Sequence, residues 1–255
     1  MTARQNRAVD AAEYALMDAV EDRMWWYRAM HGHALQALDA LPVDARILDA
    51  GCGTGGFLAR LRAMRPEAAL FGLEYDASAA HRATGKASAQ VAAGTVNVMP
   101  FPDASFDAVV SLDVVCHRGV DQPAALAEFR RVLRPGGRLV LNLPAHEWLR
   151  SAHDRRVHTA RRYHRTGTAR MLADAGFAQA TPRHWNSLLL PIMVLQRKVL
   201  ARADEAASDV APYPPWLDAA LSSVCRLEAT LLRAGFRFPA GGSLMTTATR
   251  PLDPT

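Results

Sequence analysis

The chain has 255 residues, half of them hydrophobic, and a formal net charge of +5. That length supplies one sizeable core, or a core with a cap, and excludes two large independent domains. Its three cysteines, Cys52, Cys116 and Cys225, lie far apart with no CxxC spacing, which speaks against a disulfide framework or a zinc site.

Residues 10–40 have helical spacing, with a start at Asp10 and a stop near Leu41-Pro42. From there strand and helix patterns alternate. ARILDA, ALFGLEY, TVNVM, FDAVVSLD and GRLVLNLP read as strands, and residues 56–64, 77–90 and 121–133 read as the helices among them. Alternation at this interval predicts an α/β, Rossmann-like sheet with right-handed crossovers. RPGG at 134–137 fits a helix end and a tight turn into the fifth strand. Beyond it a helix is expected at about 166–175 and a strand at FAQATPRHW. Helices follow at 186–202 and 216–234, and GSLMTTATR alternates as a last strand. The predicted division is an N-terminal helical lid (1–42), a ligand-binding core (43–185 and 241–250) and a helical cap inserted before the last strand (186–240).

The stretch ILDAGCGTGGFLARL, residues 47–61, is a strand that empties into glycines and then a helix. In a dinucleotide fold such a turn seats a pyrophosphate on the helix N-terminus. Here Asp49 stands two positions before Gly51, and a carboxylate aimed at a pyrophosphate repels it. The same carboxylate suits a ligand with an ammonium and a sulfonium, as S-adenosylmethionine has. Glu74, at the end of the second predicted strand, is placed to accept ribose hydroxyls.

ILDAGCGTGGFLARL, GLEYD, VMPFPDASFDAVVSLDVVCH and EFRRVLRPGGRLVLNLP, four motifs in order, resemble the successive motifs of class I S-adenosylmethionine-dependent methyltransferases. The resemblance covers residues 46–144 and, more loosely, extends to 180. It implies a seven-stranded sheet, mostly parallel, with an antiparallel last strand. It also implies that Asp49, Gly51 and Gly53 contact the methionine half and Glu74 the ribose, with Cys52 and Tyr75 also at the cofactor. Thr95, Val96 and Met99 would border the adenine, and Asp113 would lie near the sulfonium. Relatives usually carry an Asp where Thr95 stands, so the base-edge contact departs from the pattern.

Three segments flank this cradle. DRMWWYRAM at 22–30 reads either as core plugs or, through Trp26, Tyr27 and Arg28, as an aromatic lid that meets the substrate. AHEWLRSAHDRRVHTARRYHRTGTAR at 145–170 holds seven arginines and four histidines against only Glu147 and Asp154. It leaves the fifth strand at the edge where ligands bind in such sheets. Arg161 and Arg162 there suit a phosphate, diphosphate or carboxylate, or else form a solvated basic surface. His153, His158 and Tyr163 are the candidate catalytic groups, with Asp154 as a candidate orienting partner, and His117 is a further substrate contact. His153 and His158 are five apart and carboxylates are scarce, so no metal site is expected. WWY together with HD and HTARRY resembles a bacterial small-molecule branch of the same family. The third segment, 186–234, is apolar enough to roof a pocket or to touch a membrane surface.

The function expected is methyl transfer to a small, anionic, partly apolar acceptor such as a natural product, isoprenoid or lipid-like acid. A nucleic-acid methyltransferase is the first alternative, although no RNA-binding module, NPPY-like motif or motif-placed catalytic cysteine is seen. A cofactor-binding protein that does not transfer methyl is the second. The N-terminus lacks a secretion-signal pattern, and LLLPIMVL at 188–195 is far short of the roughly 20 residues a membrane span needs. A cytoplasmic location is expected.

Overall fold

The computed structural model describes residues 11–151, 154, 155, 157–196 and 213–253. Its elements run α1 (Ala11–Val20), α2 (Trp25–Ala37), β1 (Arg46–Ala50), α3 (Gly56–Met64), β2 (Ala69–Glu74) and α4 (Ala77–Ala87). Then come β3 (Gln90–Ala93), β4 (Phe106–Leu112), α5 (Gln122–Val132), β5 (Leu133–Pro144) and a short turn of 3-10 helix, Glu147–Leu149. The chain continues through α6 (Arg165–Asp174), β6 (Ala178–Trp185), α7 (Leu190–Leu195), α8 (Pro215–Arg233) and β7 (Ser243–Thr249).

The strands form one sheet in the order β3-β2-β1-β4-β5-β7-β6. The first five are parallel, and β7 runs antiparallel to both β5 and β6. Alternate strand residues feed two cores. On one face Leu48, Val109, Leu139, Leu141 and Leu143 meet Leu126 and Phe129 of α5 and Leu172 of α6. On the other, Ile47, Val110 and Val140 meet α2 through Met30, Ala34 and Leu38, and α3 through Phe57, Leu58 and Leu61. From β1 the chain winds to β2 on one side, and β4 then lies on the other. The switch point of the sheet therefore falls between the ends of β1 and β4. Ligands of open α/β sheets sit in that crevice.

The helical stretch expected over 10–40 divides into α1 and α2, and two other local expectations are corrected. The chain turns at Met24, and the Trp25 N–H that opens α2 donates to Asp218 of α8 at 2.7 Å, a cap supplied from another helix. TVNVM is not the third strand; QVAA, four residues before Gly94, takes that place. Thr95 Oγ1 instead accepts from Asn97 N, and Met99 N donates to the Glu128 carboxylate at 2.6 Å. Those backbone donors are spent on side chains, so alternation alone does not make a ladder. Of the 186–202 helix, the described part is α7, only Leu190–Leu195. Buried Glu228 of α8 anchors its approach by accepting the Ser187 and Leu188 N–H groups at 2.7 and 2.8 Å.

Candidate cofactor cradle and acceptor edge

β1 ends on Asp49 and Ala50, and the chain then turns through Gly51, at φ +89°. A β-carbon at Gly51 would strike the Val114 side chain, and one at Gly55 would come within 2.7 Å of Ala83 Cα. Glycine is therefore required for the turn to pass this close to its neighbours. The Gly51 and Cys52 N–H groups both donate to Leu73 O, which ties the turn to the end of β2.

Asp49 is 2 % exposed. Burial, with Glu74 and Glu21 as like-charged neighbours, raises its pKa well above the ordinary carboxylate value. Glu74 is buried beside it. Its Oε2 accepts Gly53 N–H at 2.8 Å, and its Oε1 accepts the Tyr14 hydroxyl at 2.7 Å and Asp76 N–H at 3.0 Å. The Glu21 carboxylate accepts Thr54 Oγ1 at 2.6 Å and Lys86 Nζ at 2.7 Å. A cradle lined by buried carboxylates favours a cation and disfavours a pyrophosphate. A carboxylate that already accepts a hydroxyl from α1 is built to take one from a sugar. The residues present thus fit S-adenosylmethionine.

The remaining sites expected at the cofactor fall around this cradle with different surroundings. Cys52 is buried, and burial with Asp49 and Glu74 pushes its thiol pKa up, so it stays unreactive. Tyr75 is largely exposed, while Val96 and Met99 are buried in the core with Leu73. Thr95 lies in the turn after β3, bridged to Val98.

At the switch point Asp113 follows β4 with a left-handed backbone, φ +57°. Its Oδ2 accepts Asn142 Nδ2 at 2.8 Å, and Asn142 Oδ1 in turn accepts Trp185 Nε1 at 2.8 Å. Asp113 Oδ1 is buried and accepts from no group among the described residues. Desolvation raises its pKa to about 7, against the lowering pull of Asn142 and Arg162. Asn142 and Trp185 were not legible in the sequence, because β4, β5 and the far edge of the sheet are joined only by the fold.

Arg161 and Arg162 of the 145–170 loop are engaged internally, while Arg155, Arg165 and Arg170 are exposed. Arg162 forms a buried pair with Asp154 at 2.9 Å, the side chains 4 % and 2 % exposed, and also donates to Ala145 O at 2.8 Å. Arg161 donates to the carbonyls of Val115, His117 and Val120 at 3.1–3.3 Å, so it clamps the chain that carries the expected contact His117. Tyr163 is buried, its hydroxyl donating to Gln122 Oε1 at 3.0 Å and Val115 O at 3.2 Å, and burial raises its pKa. These three residues, expected to grip or deprotonate the acceptor, here hold the loop against the sheet. The corrective fact is that one acid and several carbonyls absorb the guanidinium donors. His158 lies at φ +56°, its carbonyl accepting Arg118 N–H, and His153 lies outside the described residues.

On α2, Trp26 packs on Trp185 with ring centroids 6.0 Å apart and edge-on to Tyr27 at 5.1 Å. Arg28 pairs with Asp218 and Ser222 of α8. Trp26 and Arg28 thereby join α2 to its neighbours. Among the described residues no cluster of three or more His, Cys, Asp or Glu could hold a metal, and no helix is long and apolar enough to cross a membrane.

Residues 48–141 match the family model described as a methyltransferase domain. The demethylmenaquinone methyltransferase of Deinococcus radiodurans is 38 % identical over 125 residues, 46 % of this chain and 48 % of that protein. The chain spans about half the length of the first curated relatives it matches. A methyltransferase structure from Thermotoga maritima superposes with a TM-score of 0.60 at 19 % identity, covering 94 % of this chain and 95 % of that one. The geranyl diphosphate C-methyltransferase of Streptomyces coelicolor A3(2) gives 0.60 at 15 % identity, covering 88 % and 78 %. In sequence over the cradle strands, and in fold over nearly its whole length, this chain is similar to class I S-adenosylmethionine-dependent methyltransferases.

Proposed function

We propose that the protein is an S-adenosylmethionine-dependent methyltransferase acting on a small, anionic and partly apolar acceptor. The observation that carries this reading is the pair of buried carboxylates, Asp49 and Glu74, on either side of a glycine turn at the switch point. Bound there, the cofactor supplies an electrophilic methyl on a sulfonium. Asp49 would hold the cationic methionine end and Glu74 the ribose hydroxyls. The domain match and the methyltransferase relatives support this chemistry.

The chain's own part is alignment, exclusion of water and management of one proton. Asp113 Oδ1, the unpartnered oxygen at the crevice, would take the proton of an O–H, N–H or acidic C–H acceptor. Asn142 fixes the other oxygen, and Trp185 fixes Asn142. This assignment shifts proton transfer from the loop histidines and Tyr163 to the end of β4. The α1–α2 segment would serve as the lid, because Tyr14, Glu21 and Met17 all rest on the cradle. Relatives named for a quinone and for geranyl diphosphate support an acceptor with an apolar body.

The test is transfer of label from methyl-labelled S-adenosylmethionine into a small-molecule extract by the wild type and by Asp49→Ala. Label in organic-soluble material with the wild type alone supports the reading. Label in RNA, or in neither fraction, overturns it.

A further inference from the structure

Arg161 and Arg162 are engaged internally, so an anionic ligand needs another grip, and one exists at the sheet's far edge. The side chains of Arg165 at the start of α6, Arg183 and His184 of β6, and Arg237 beyond α8 line a shallow cleft open to solvent. Its other walls include Phe236 and Phe238, packed edge-on at 4.8 Å. Among the described residues no acidic side chain lines it. α6 is ten residues long and opens beside the cleft, its Gly167 N–H capped by the His164 ring, so its dipole adds to the positive potential.

The second, independent observation is His184. It is 4 % exposed, and its Nδ1 is buried with no hydrogen-bond partner among the described residues. Its ring stacks on His146, with centroids 5.0 Å apart and planes 10° apart, and His146 Nε2 is likewise buried without a partner. His146 lies two residues beyond the end of β5 and is held at φ +57°. Buried nitrogens are costly to leave unpaired, so a polar group that reached either ring would relieve that cost. Burial, His146 and Arg165 together depress the His184 pKa to about 4. The free ring is therefore neutral at pH 7, and an anion would favour its protonated, donating form.

We propose that this cleft binds an anionic group, phosphate or carboxylate, carried on an apolar body. Arg165, Arg183 and Arg237 would supply the charge, His184 the buried donor, and Phe236 and Phe238 the apolar wall. β6 lies three strands from β4, about 14 Å away at the usual strand spacing, so the anion would sit at the far end of an acceptor reaching toward Asp113. That last placement rests on the methyltransferase reading; the anion site itself does not.

The experiment is calorimetric titration of the full chain with phenyl phosphate, inorganic phosphate and benzoate at matched ionic strength, after S-adenosylhomocysteine binding has been measured in the same sample. Saturable binding of phenyl phosphate is expected, tighter than inorganic phosphate, and comparison with benzoate distinguishes the two anion types. Arg183→Ala and Arg237→Ala are exposed substitutions that leave the fold in place, and each should weaken binding about 5- to 10-fold. Repeating the titration at pH 6 in buffers of different ionisation heat should show proton uptake, lost in His184→Gln. Affinity should rise as pH falls from 7 toward 5, with His146 and the three arginines facing the same ring. Absence of saturable phenyl phosphate binding, or affinity unchanged in the Arg183→Ala/Arg237→Ala double variant, overturns the site. If anions bind while S-adenosylhomocysteine does not, the cofactor reading fails and the anion site stands.

Discussion

The Tyr14 hydroxyl donates to Glu74 Oε1 at 2.7 Å, joining the first described helix to the carboxylate that closes β2. Burial and the Glu74 charge both raise the Tyr14 pKa, so the phenol stays protonated and donates. A ribose hydroxyl arriving at Glu74 competes with this contact. Tyr14→Phe should tighten S-adenosylhomocysteine binding about 3- to 10-fold, the roughly 1 kcal/mol of a net hydrogen bond. Titration calorimetry reads this directly, and weaker binding in the variant would mean that Tyr14 assists the ligand rather than yielding to it.

A lysine clasp holds the same segment. Lys86 Nζ lies 2.6 Å from Asp18 and 2.7 Å from Glu21. Lys86→Met leaves Glu21 buried without its cation, at a cost of about 1–3 kcal/mol. Hydrogen exchange should then rise across residues 14–24 and stay unchanged in β4 and β5. Uniform acceleration through the sheet would contradict a local role.

Asp113 provides a pH signature. Its folded pKa, about 7, lies above the ordinary carboxylate value because burial disfavours the charged form. The folded state therefore holds this proton more tightly than the unfolded chain does. The stability it contributes is full below about pH 4 and is lost as pH rises toward 7. Asp113→Asn should flatten that decline, by an amount of order 2–3 kcal/mol between pH 5 and pH 8. Urea midpoints at pH 5 and pH 8 for both proteins test it; parallel pH dependence would show that Asp113 titrates normally.

The Arg162–Asp154 pair is nearly solvent-free. Arg162→Ala strands a buried carboxylate and should cost about 3–5 kcal/mol, whereas the Arg162→Met/Asp154→Leu double variant should recover much of that. A thermal-melt comparison of the single and double variants decides it, and a single variant as stable as the wild type would return Arg162 to solvent.

The cradle was legible because its chemistry is local: Asp49, the glycines and Glu74 lie at the two ends of consecutive strands, and each is needed for backbone or charge reasons. The seven strands were legible by alternation except where TVNVM mimicked a strand while its donors went to Thr95 and Glu128. The acceptor side was not. Asp113, Asn142 and Trp185 meet across neighbouring strands and an edge, and His146 meets His184 because β5 and β6 flank β7. Composition showed arginines in excess over acids at 145–170, but it could not show that Asp154 and four carbonyls would take Arg161 and Arg162.

The direct measurement of what the cradle binds is calorimetric titration of the wild type, Asp49→Ala and Glu74→Ala with S-adenosylmethionine, S-adenosylhomocysteine and NAD. Saturable binding of both sulfur ligands is predicted for the wild type, weakened at least 10-fold in each variant, about 1.4 kcal/mol or more for a charge-assisted contact, with no saturable binding of NAD. Sulfur-ligand affinities unchanged in both variants, or binding of NAD in their place, would contradict it.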